Sequence, residues 1–172
     1  MRKAAFLVTC LMFLAFAATP ALAEGTLEKI EKRGEFIVGV RDSSPPFGFI
    51  NDKNEPAGFD VDMAREFHKA LEEKFKKKLT LTFKPVNPKT RIPLVANGTV
   101  DIVCGASTHT IEREETVDWS LTTFVTGTQL LVKKGGAVKD YKDLAGKKVG
   151  AAQGSTNEKA IREYSEKNLK PP

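Results

Sequence analysis

Three arginines, Arg41, Arg91 and Arg113, are the side chains of this sequence with the clearest capacity to bind a charged ligand. A guanidinium is planar, keeps its charge and donates two parallel hydrogen bonds to a carboxylate. From residue type alone, each arginine has an equally simple structural interpretation. Arg41 suits a surface salt bridge with Asp42, Arg91 suits the exposed first turn of a helix, and Arg113 suits a solvated position beside Glu112.

The elements around these arginines alternate between strand and helix patterns. Residues 36–40 and 100–104 are short apolar runs, and the alternation of Leu79, Leu81 and Phe83 also indicates a strand. Helices are predicted from the N-cap Asp60, from Thr90 over residues 91–97, and from Thr110 over a short segment that carries Arg113. This alternation predicts an α/β fold with a mostly parallel sheet. Ligands of such sheets bind beyond the carboxyl ends of the strands, where the loops 41–44, 105–110 and the loop before Arg91 lie.

The pattern changes after Phe124. Residues 128–133 read as an extended run, residues 147–151 as a strand, and Gly154-Ser155-Thr156 as the start of a helix that reaches about Lys167. We therefore predict a first α/β lobe over residues 24–125 and the beginning of a second over residues 126–172. One strand–helix unit cannot cover both faces of a sheet, so we expect the second lobe to be incomplete.

The first 23 residues have the pattern of a secretory signal peptide. A basic start precedes an apolar run over residues 4–18, and Ala21-Leu22-Ala23 predicts cleavage before Glu24. Cys10 offers the alternative of a lipoprotein cleavage site, which its position so near the start disfavours. Export places Cys104 in an oxidising compartment, where it is either a small core residue or half of a disulfide whose partner lies beyond Pro172.

Composition excludes several function classes. Of 172 residues, 41% are hydrophobic and 28% charged, as in globular proteins, and a net charge of +5 with both signs interspersed does not predict nucleic-acid binding. His68 and His109 lack metal-ligand spacing, so we expect no metal and no cofactor. The sequence contains no phosphate-binding loop of the Gly-Lys-Ser/Thr type.

Several segments, taken in order, resemble the periplasmic solute-binding proteins for polar amino acids, and most of all the glutamate/aspartate-binding proteins of bacterial ABC importers. These segments are Thr26–Ile30, Gly58–Ala64, Arg91–Leu94 with Asn97–Thr99 and Asp101, Thr110–Arg113, Asp143–Val149 and Gly154–Thr156. The resemblance implies a two-lobed binding-protein fold of type II. It also implies a monomeric, non-enzymatic clamp in the periplasm that closes on an amino acid and delivers it to a membrane permease.

The resemblance assigns roles to individual residues. Arg113 matches the arginine that binds the α-carboxylate of the ligand. Thr108 matches a residue that assists it, and Ala106 stands where relatives have serine, so that only its backbone could serve. Arg41 and Arg91 match the arginines that bind the distal carboxylate of glutamate or aspartate. A buried second charge needs such partners because desolvation of an unpaired ion is costly.

The resemblance also includes the second-lobe loop with Ser155 and Thr156, whose N–H groups would close over the α-carboxylate. A helix N-terminus is a general anion site, although an ordinary helix cap explains the same residues. Pro88 stands where relatives have serine, which predicts that one hydrogen bond is weakened. Trp119 and Phe124 fit packing near the junction of the lobes or an aromatic contact to the ligand.

Three functions remain open at this point. The first is a binding protein for L-glutamate or L-aspartate, with binders of neutral polar amino acids such as glutamine as a close variant. The second is an enzyme on the same fold, because some relatives are cyclohexadienyl dehydratases, which act on prephenate or arogenate. Such an enzyme needs a placed general acid or base, and only His109 neighbours the site. The third is the sensory module of a receptor.

Overall fold

The computed structural model describes residues 24–169; the predicted signal peptide, its cleavage site and Cys10 lie outside this range. The described residues divide into two compact units, with the boundary between Arg33 and Gly34. The first unit contains helix α1, Thr26–Arg33, which has Glu28 in its first turn and Lys32 in its last. These charges suit the helix dipole, which favours acidic groups at the start and basic groups at the end.

The second unit is organised by a three-stranded parallel sheet. Its strands are β1 (Glu35–Val40), β5 (Thr80–Pro85) and β6 (Ile102–Cys104), in the spatial order β5-β1-β6. The register pairs Val38 with Phe83 on one side and with Ile102 on the other. The predicted parallel sheet is therefore confirmed, and the loops that follow these strands lie at one edge.

A small antiparallel sheet follows β1. It consists of β2 (Ser43–Ser44), β3 (Gly48–Ile50) and β4 (Pro56–Ala57), in that order. The turn between β3 and β4 forms because Asn51 Oδ1 accepts hydrogen bonds from the N–H groups of Lys53 and Glu55.

The remaining elements of the second unit are helical. They are α2 (Phe59–Phe75), α3 (Arg91–Ala96), α4 (Ile111–Glu114), a 3₁₀ turn (Tyr141–Leu144) and α5 (Thr156–Asn168). Helix α2 begins two residues earlier than predicted, because Gly58 and not Asp60 is its N-cap, and Asp60 lies inside its first turn. The core of this unit consists of apolar side chains from β1, from α2 and from the residues that flank β5 and β6. Its buried members include Phe36, Val38, Val40, Val61, Ala64, Val86 and Val100. Cys104 is a free, buried cysteine whose thiol pKa is raised to about 12, chiefly by burial and secondarily by the negative charge of Asp60.

The strand predicted over residues 147–151 is absent, so that prediction is wrong, and the extended run predicted over residues 128–133 joins no sheet. Residues 128–133 and 147–151 form no strand, and Leu131 and Val149 in these runs are exposed. Isolated extended chain is not stable as a strand, because the backbone groups of a strand are satisfied only by a neighbouring strand. Within the described residues neither run is paired with another. The lobe boundary between residues 125 and 126 stays a prediction.

In residues 24–169, no helix combines the length and apolar character needed to cross a lipid bilayer.

Candidate ligand-binding site

Arg91 is the central residue of the candidate site. It is the first residue of α3, only 2% of its surface is exposed, and its Nη1 donates a 2.7 Å hydrogen bond to the carbonyl oxygen of Ala106. Its Nε is buried without a hydrogen-bond partner. Burial, followed by the positive charges of Arg113 and Arg41, lowers the pKa of Arg91 to about 10. The side chain is therefore still charged at neutral pH, and it lies near two other cations.

A tight turn before α3 brings Arg91 into this position. Asn87 Oδ1 accepts hydrogen bonds from the N–H groups of Lys89 and Thr90, at 2.9 and 3.0 Å. The predicted capping by the Thr90 side chain is wrong, because Thr90 Oγ1 accepts from the Asn87 N–H instead of from the helix. The short polar side chain of Asn87 forms the turn because it reaches the backbone two and three residues ahead. Pro88, which we associated with a weakened hydrogen bond, lies inside this turn.

Arg113 is fixed from both sides of its guanidinium. Thr110 caps α4 as predicted, because its Oγ1 accepts a hydrogen bond from the Arg113 N–H. The Nη1 of Arg113 donates to the carbonyl oxygen of Thr108 at 2.7 Å, and its Nη2 donates to that of Gly154 at 3.1 Å. Arg113 therefore joins the loop after β6 to the loop before α5.

Arg41 follows β1 directly and packs between two glycines. A Cβ on Gly48 would lie 2.9 Å from the Arg41 carbonyl oxygen, and one on Gly105 would lie 3.5 Å from Arg41 Cγ. The Nε of Arg41 is buried without a hydrogen-bond partner. Small residues at these two positions thus let the arginine lie against the backbone beside the end of β6.

The loop before α5 contacts the other site segments through specific atoms. Thr156 Oγ1 lies 3.0 Å from Thr108 Oγ1, within hydrogen-bond distance. Gly154 has a φ of +78°, a region that glycine tolerates best, and a Cβ on it would lie 2.8 Å from Cα of Lys89. The structure thereby places Thr156 and Gly154 against two of the loops at the carboxyl edge of the sheet.

The N–H groups of this loop are engaged within the chain. Gly154 N donates to Glu158 Oε2 at 2.8 Å, and Ser155 N donates to the Ala152 carbonyl oxygen. Ser155 Oγ caps α5 by accepting from the Glu158 N–H. Ser155 is thus the ordinary helix cap that we considered beside the ligand-binding role. Sequence reasoning missed Glu158, although Ser-x-x-Glu at residues 155–158 is the signature of a capping box.

Among the residues that the structure describes, the acidic side chains near the site do not form ion pairs with its three arginines. Acidic side chains nearby are engaged by other partners: Glu112 forms an ion pair with Lys159, Glu158 forms one with Arg162, and Glu114 is hydrogen-bonded to His109. None of these pairs, all within residues 24–169, includes Arg41, Arg91 or Arg113. These acidic groups therefore leave the positive charge of the three arginines available for an anion, while Arg91 Nη1 and both Nη atoms of Arg113 already donate to backbone carbonyl oxygens.

Aromatic side chains surround the same region. Phe47 packs edge-on against Phe124, with ring centroids 4.8 Å apart, and His109 stacks on Trp119 at 4.9 Å. Phe124 and Trp119 therefore both make aromatic packing contacts. Within residues 24–169 there is no group of three or more His, Cys, Asp or Glu side chains able to hold a metal ion.

The profile of the bacterial extracellular solute-binding proteins, family 3, matches residues 36–170. The chain belongs to this family. The match includes all seven residues that we singled out for the site, from Arg41 to Thr156.

Curated relatives of this family differ in the ligands named for them. The chain is 40% identical to a glutamate/aspartate import solute-binding protein of Salmonella typhimurium. The alignment of 155 residues covers 89% of this chain and 51% of the relative. The chain is 37% identical to the L-glutamate/L-aspartate-binding protein of Pseudomonas aeruginosa, with 94% and 55% covered. It is also 41% identical to a glutamine-binding protein of Geobacillus stearothermophilus, with 81% and 53% covered. The chain spans about half the length of these relatives.

Solved structures of similar proteins have the same fold. An ancestral arginine-binding protein bound to arginine superposes with a TM-score of 0.71 at 36% identity, over 79% of this chain and 58% of that one. The ancestral amino acid-binding protein AncCDT-1, a precursor of cyclohexadienyl dehydratase, gives 0.73 at 34% identity, over 81% and 61%. The predicted family resemblance and the α/β binding-protein fold are thus confirmed.

Proposed function

We propose that this chain binds an acidic amino acid, L-glutamate or L-aspartate, as the substrate-binding component of a bacterial ABC importer. Its place of action is the periplasm, its partner is the membrane permease, and it performs no chemical reaction on the ligand. The observation that carries the proposal is the group of three neighbouring arginines at the carboxyl edge of the sheet, one of them almost completely buried.

The burial of Arg91 is the strongest part of this argument. A buried cation without a counter-charge is unfavourable, since water no longer solvates it. Its pKa is lowered because the folded protein disfavours the charged form, and two like charges add to the effect. A ligand with two carboxylates would offset this cost and would place its charges opposite three cations. Charged groups with strongly perturbed pKa values cluster at functional sites, which supports a binding role for Arg91.

We assign separate roles to the arginines. Arg113, with Thr108 and the backbone of Ala106, binds the α-carboxylate, and Thr156 approaches it from the loop before α5. Arg41 and Arg91 bind the distal carboxylate and determine specificity. Ser155 contributes through the helix cap that orders this loop. We propose further that residues 24–125 form the first lobe of the clamp and residues 126–172 part of the second.

Ligands of other charge fit this site less well. A cationic amino acid would add another positive charge to the three arginines, although a structural relative is bound to arginine. Glutamine would leave the distal guanidinium groups without a charged partner, and unpaired buried donors give strong discrimination. The identity with a glutamine-binding protein makes glutamine the most informative competitor.

Isothermal titration calorimetry of the purified chain tests the proposal. We expect L-glutamate or L-aspartate to bind with micromolar affinity, roughly −8 kcal/mol, and L-glutamine and L-arginine to bind at least about tenfold more weakly. Equal or tighter binding of glutamine or arginine would refute the specificity assignment. Binding and turnover of prephenate would instead support the dehydratase alternative.

A further inference from the structure

His109 occupies a position in the site that the proposed function does not use. It lies between Thr108, whose carbonyl accepts the hydrogen bond from Arg113 Nη1, and Thr110, whose hydroxyl caps α4. Both neighbours therefore help to hold Arg113. Any side chain that fixes the backbone at residue 109 also fixes the two groups that orient this arginine.

Two different contacts hold the imidazole ring of His109. One face stacks on Trp119, with ring centroids 4.9 Å apart and planes inclined by 12°. At its edge, Nε2 lies within hydrogen-bond distance of Oε1 of Glu114. A carboxylate can only accept a hydrogen bond, so Nε2 carries the proton in this contact. The stack on Trp119 therefore fixes the orientation of the ring plane. The hydrogen bond to Glu114 fixes the direction in which Nε2 points within that plane.

These contacts form a second connection between the loop and α4, parallel to the one that Arg113 makes. Arg113 and Glu114 are consecutive residues of α4, and both reach back to consecutive residues of the loop. The first connection uses the binding group itself, so a ligand that attracts the guanidinium competes with it. The second connection is independent of the ligand and keeps the loop in place when the guanidinium turns.

We propose that His109 is a positioning residue for Arg113, acting through its stack on Trp119 and its hydrogen bond to Glu114. It does not touch the ligand. The inference rests on the proposed function, because the benefit of an oriented Arg113 is measured as affinity for a carboxylate ligand. We expect the loss of both contacts, the aromatic stack and the exposed hydrogen bond to a carboxylate, to weaken L-glutamate binding about fivefold.

The variants His109→Ala, His109→Gln and His109→Phe separate the two contacts. Glutamine keeps a donor for Glu114, phenylalanine keeps the ring on Trp119, and alanine removes both. We expect His109→Ala to weaken L-glutamate binding about fivefold, with each conservative variant recovering part of the loss. His68→Ala is the matched control, since the Nε2 of His68 is also engaged, by the Leu79 carbonyl oxygen at 2.9 Å, but His68 lies in α2.

Hydrogen exchange of residues 108–114 without ligand provides the second readout. His109→Ala should speed exchange of the Arg113 N–H, whereas the conservative variants should change it less and His68→Ala should not change it. Unchanged exchange in His109→Ala would overturn the positioning role even if affinity fell. Faster exchange with unchanged L-glutamate affinity would also overturn it. If the parent chain bound no L-glutamate, the proposed function would fail, and exchange alone would decide whether His109 orders the loop.

Discussion

Residues 34–114 and residues 115–155 of this chain show how differently similar apolar patterns behave. The first region places its apolar runs in a parallel sheet, where Val38 is completely buried between two neighbouring strands. The second region contains one 3₁₀ turn and otherwise no regular element, and Leu131 within it is fully exposed. An apolar run thus becomes a strand only where another strand satisfies its backbone.

The functional groups follow the same division. Arg41, Arg91 and Arg113 all lie in the first region: Arg41 directly follows β1, and Arg91 and Arg113 lie on the short helices α3 and α4. The second region reaches them only at its end, where the Gly154 carbonyl accepts from Arg113. We therefore expect substitutions in the first region to affect both stability and binding, and substitutions in the second to affect binding alone.

The largest effect is expected for Arg113→Ala. Loss of a charged, multiply hydrogen-bonded guanidinium that faces a carboxylate should weaken binding of L-glutamate and L-aspartate about 100-fold or more. Calorimetric titration measures this loss. The control is Arg162→Ala, because Arg162 is an exposed arginine of α5 whose partner is Glu158. A loss of similar size in both variants would show that net charge, and not this site, binds the ligand.

The prediction of the first region succeeded because its signals are local. The alternation in residues 79–83, the apolar run 36–40 and the Thr110 cap each determine an element from a few neighbouring side chains. The failures involve distant partners. The strand predicted over residues 147–151 needs a neighbouring strand that the described residues do not provide. The bond from Arg91 to the Ala106 carbonyl spans two elements, so no local pattern contains it.

The second-largest effect is expected from shortening a buried side chain in the first region, compared with shortening an exposed one in the second. Val38→Ala removes two buried methyl groups and leaves a cavity in the sheet, which should lower the free energy of unfolding by about 2 kcal/mol. Leu131→Ala in the second region should change it by less than about 0.5 kcal/mol, because the side chain is already in water. Urea unfolding followed by circular dichroism measures both. A large loss for Leu131→Ala would mean that this region has a packed core.

Gly154→Ala tests the contact between the regions. The substitution combines a strained positive φ with a Cβ only 2.8 Å from Cα of Lys89, so the loop must move away from the site. We expect L-glutamate affinity to fall about tenfold, the equivalent of about 1.4 kcal/mol.

Gly146→Ala is the matched control for this substitution. Its φ of +70° gives a similar backbone strain, but nothing lies within 4 Å of its added Cβ. Titration of both variants separates strain from displacement. Equal losses of affinity would contradict a role for the contact between Gly154 and Lys89.

The smallest effect concerns Asp60, whose buried carboxyl has an unpartnered Oδ2 and a pKa raised by desolvation. A raised carboxyl pKa in the folded state means that the folded protein binds the proton more tightly than the unfolded chain. The resulting destabilisation is absent at low pH and complete once the pH exceeds the raised pKa. Asp60→Asn should therefore stabilise the protein at pH 7, by less than about 1 kcal/mol, and not at pH 3. Thermal unfolding at both pH values measures the difference, and stabilisation that is equal at both would contradict this explanation.

A crystal structure of the chain with L-glutamate tests the central claim most directly. The account predicts the α-carboxylate on the guanidinium of Arg113 and the distal carboxylate within hydrogen-bond distance of both Arg41 and Arg91. A distal carboxylate that contacts neither arginine, or a ligand bound away from the carboxyl edge of the sheet, would contradict it.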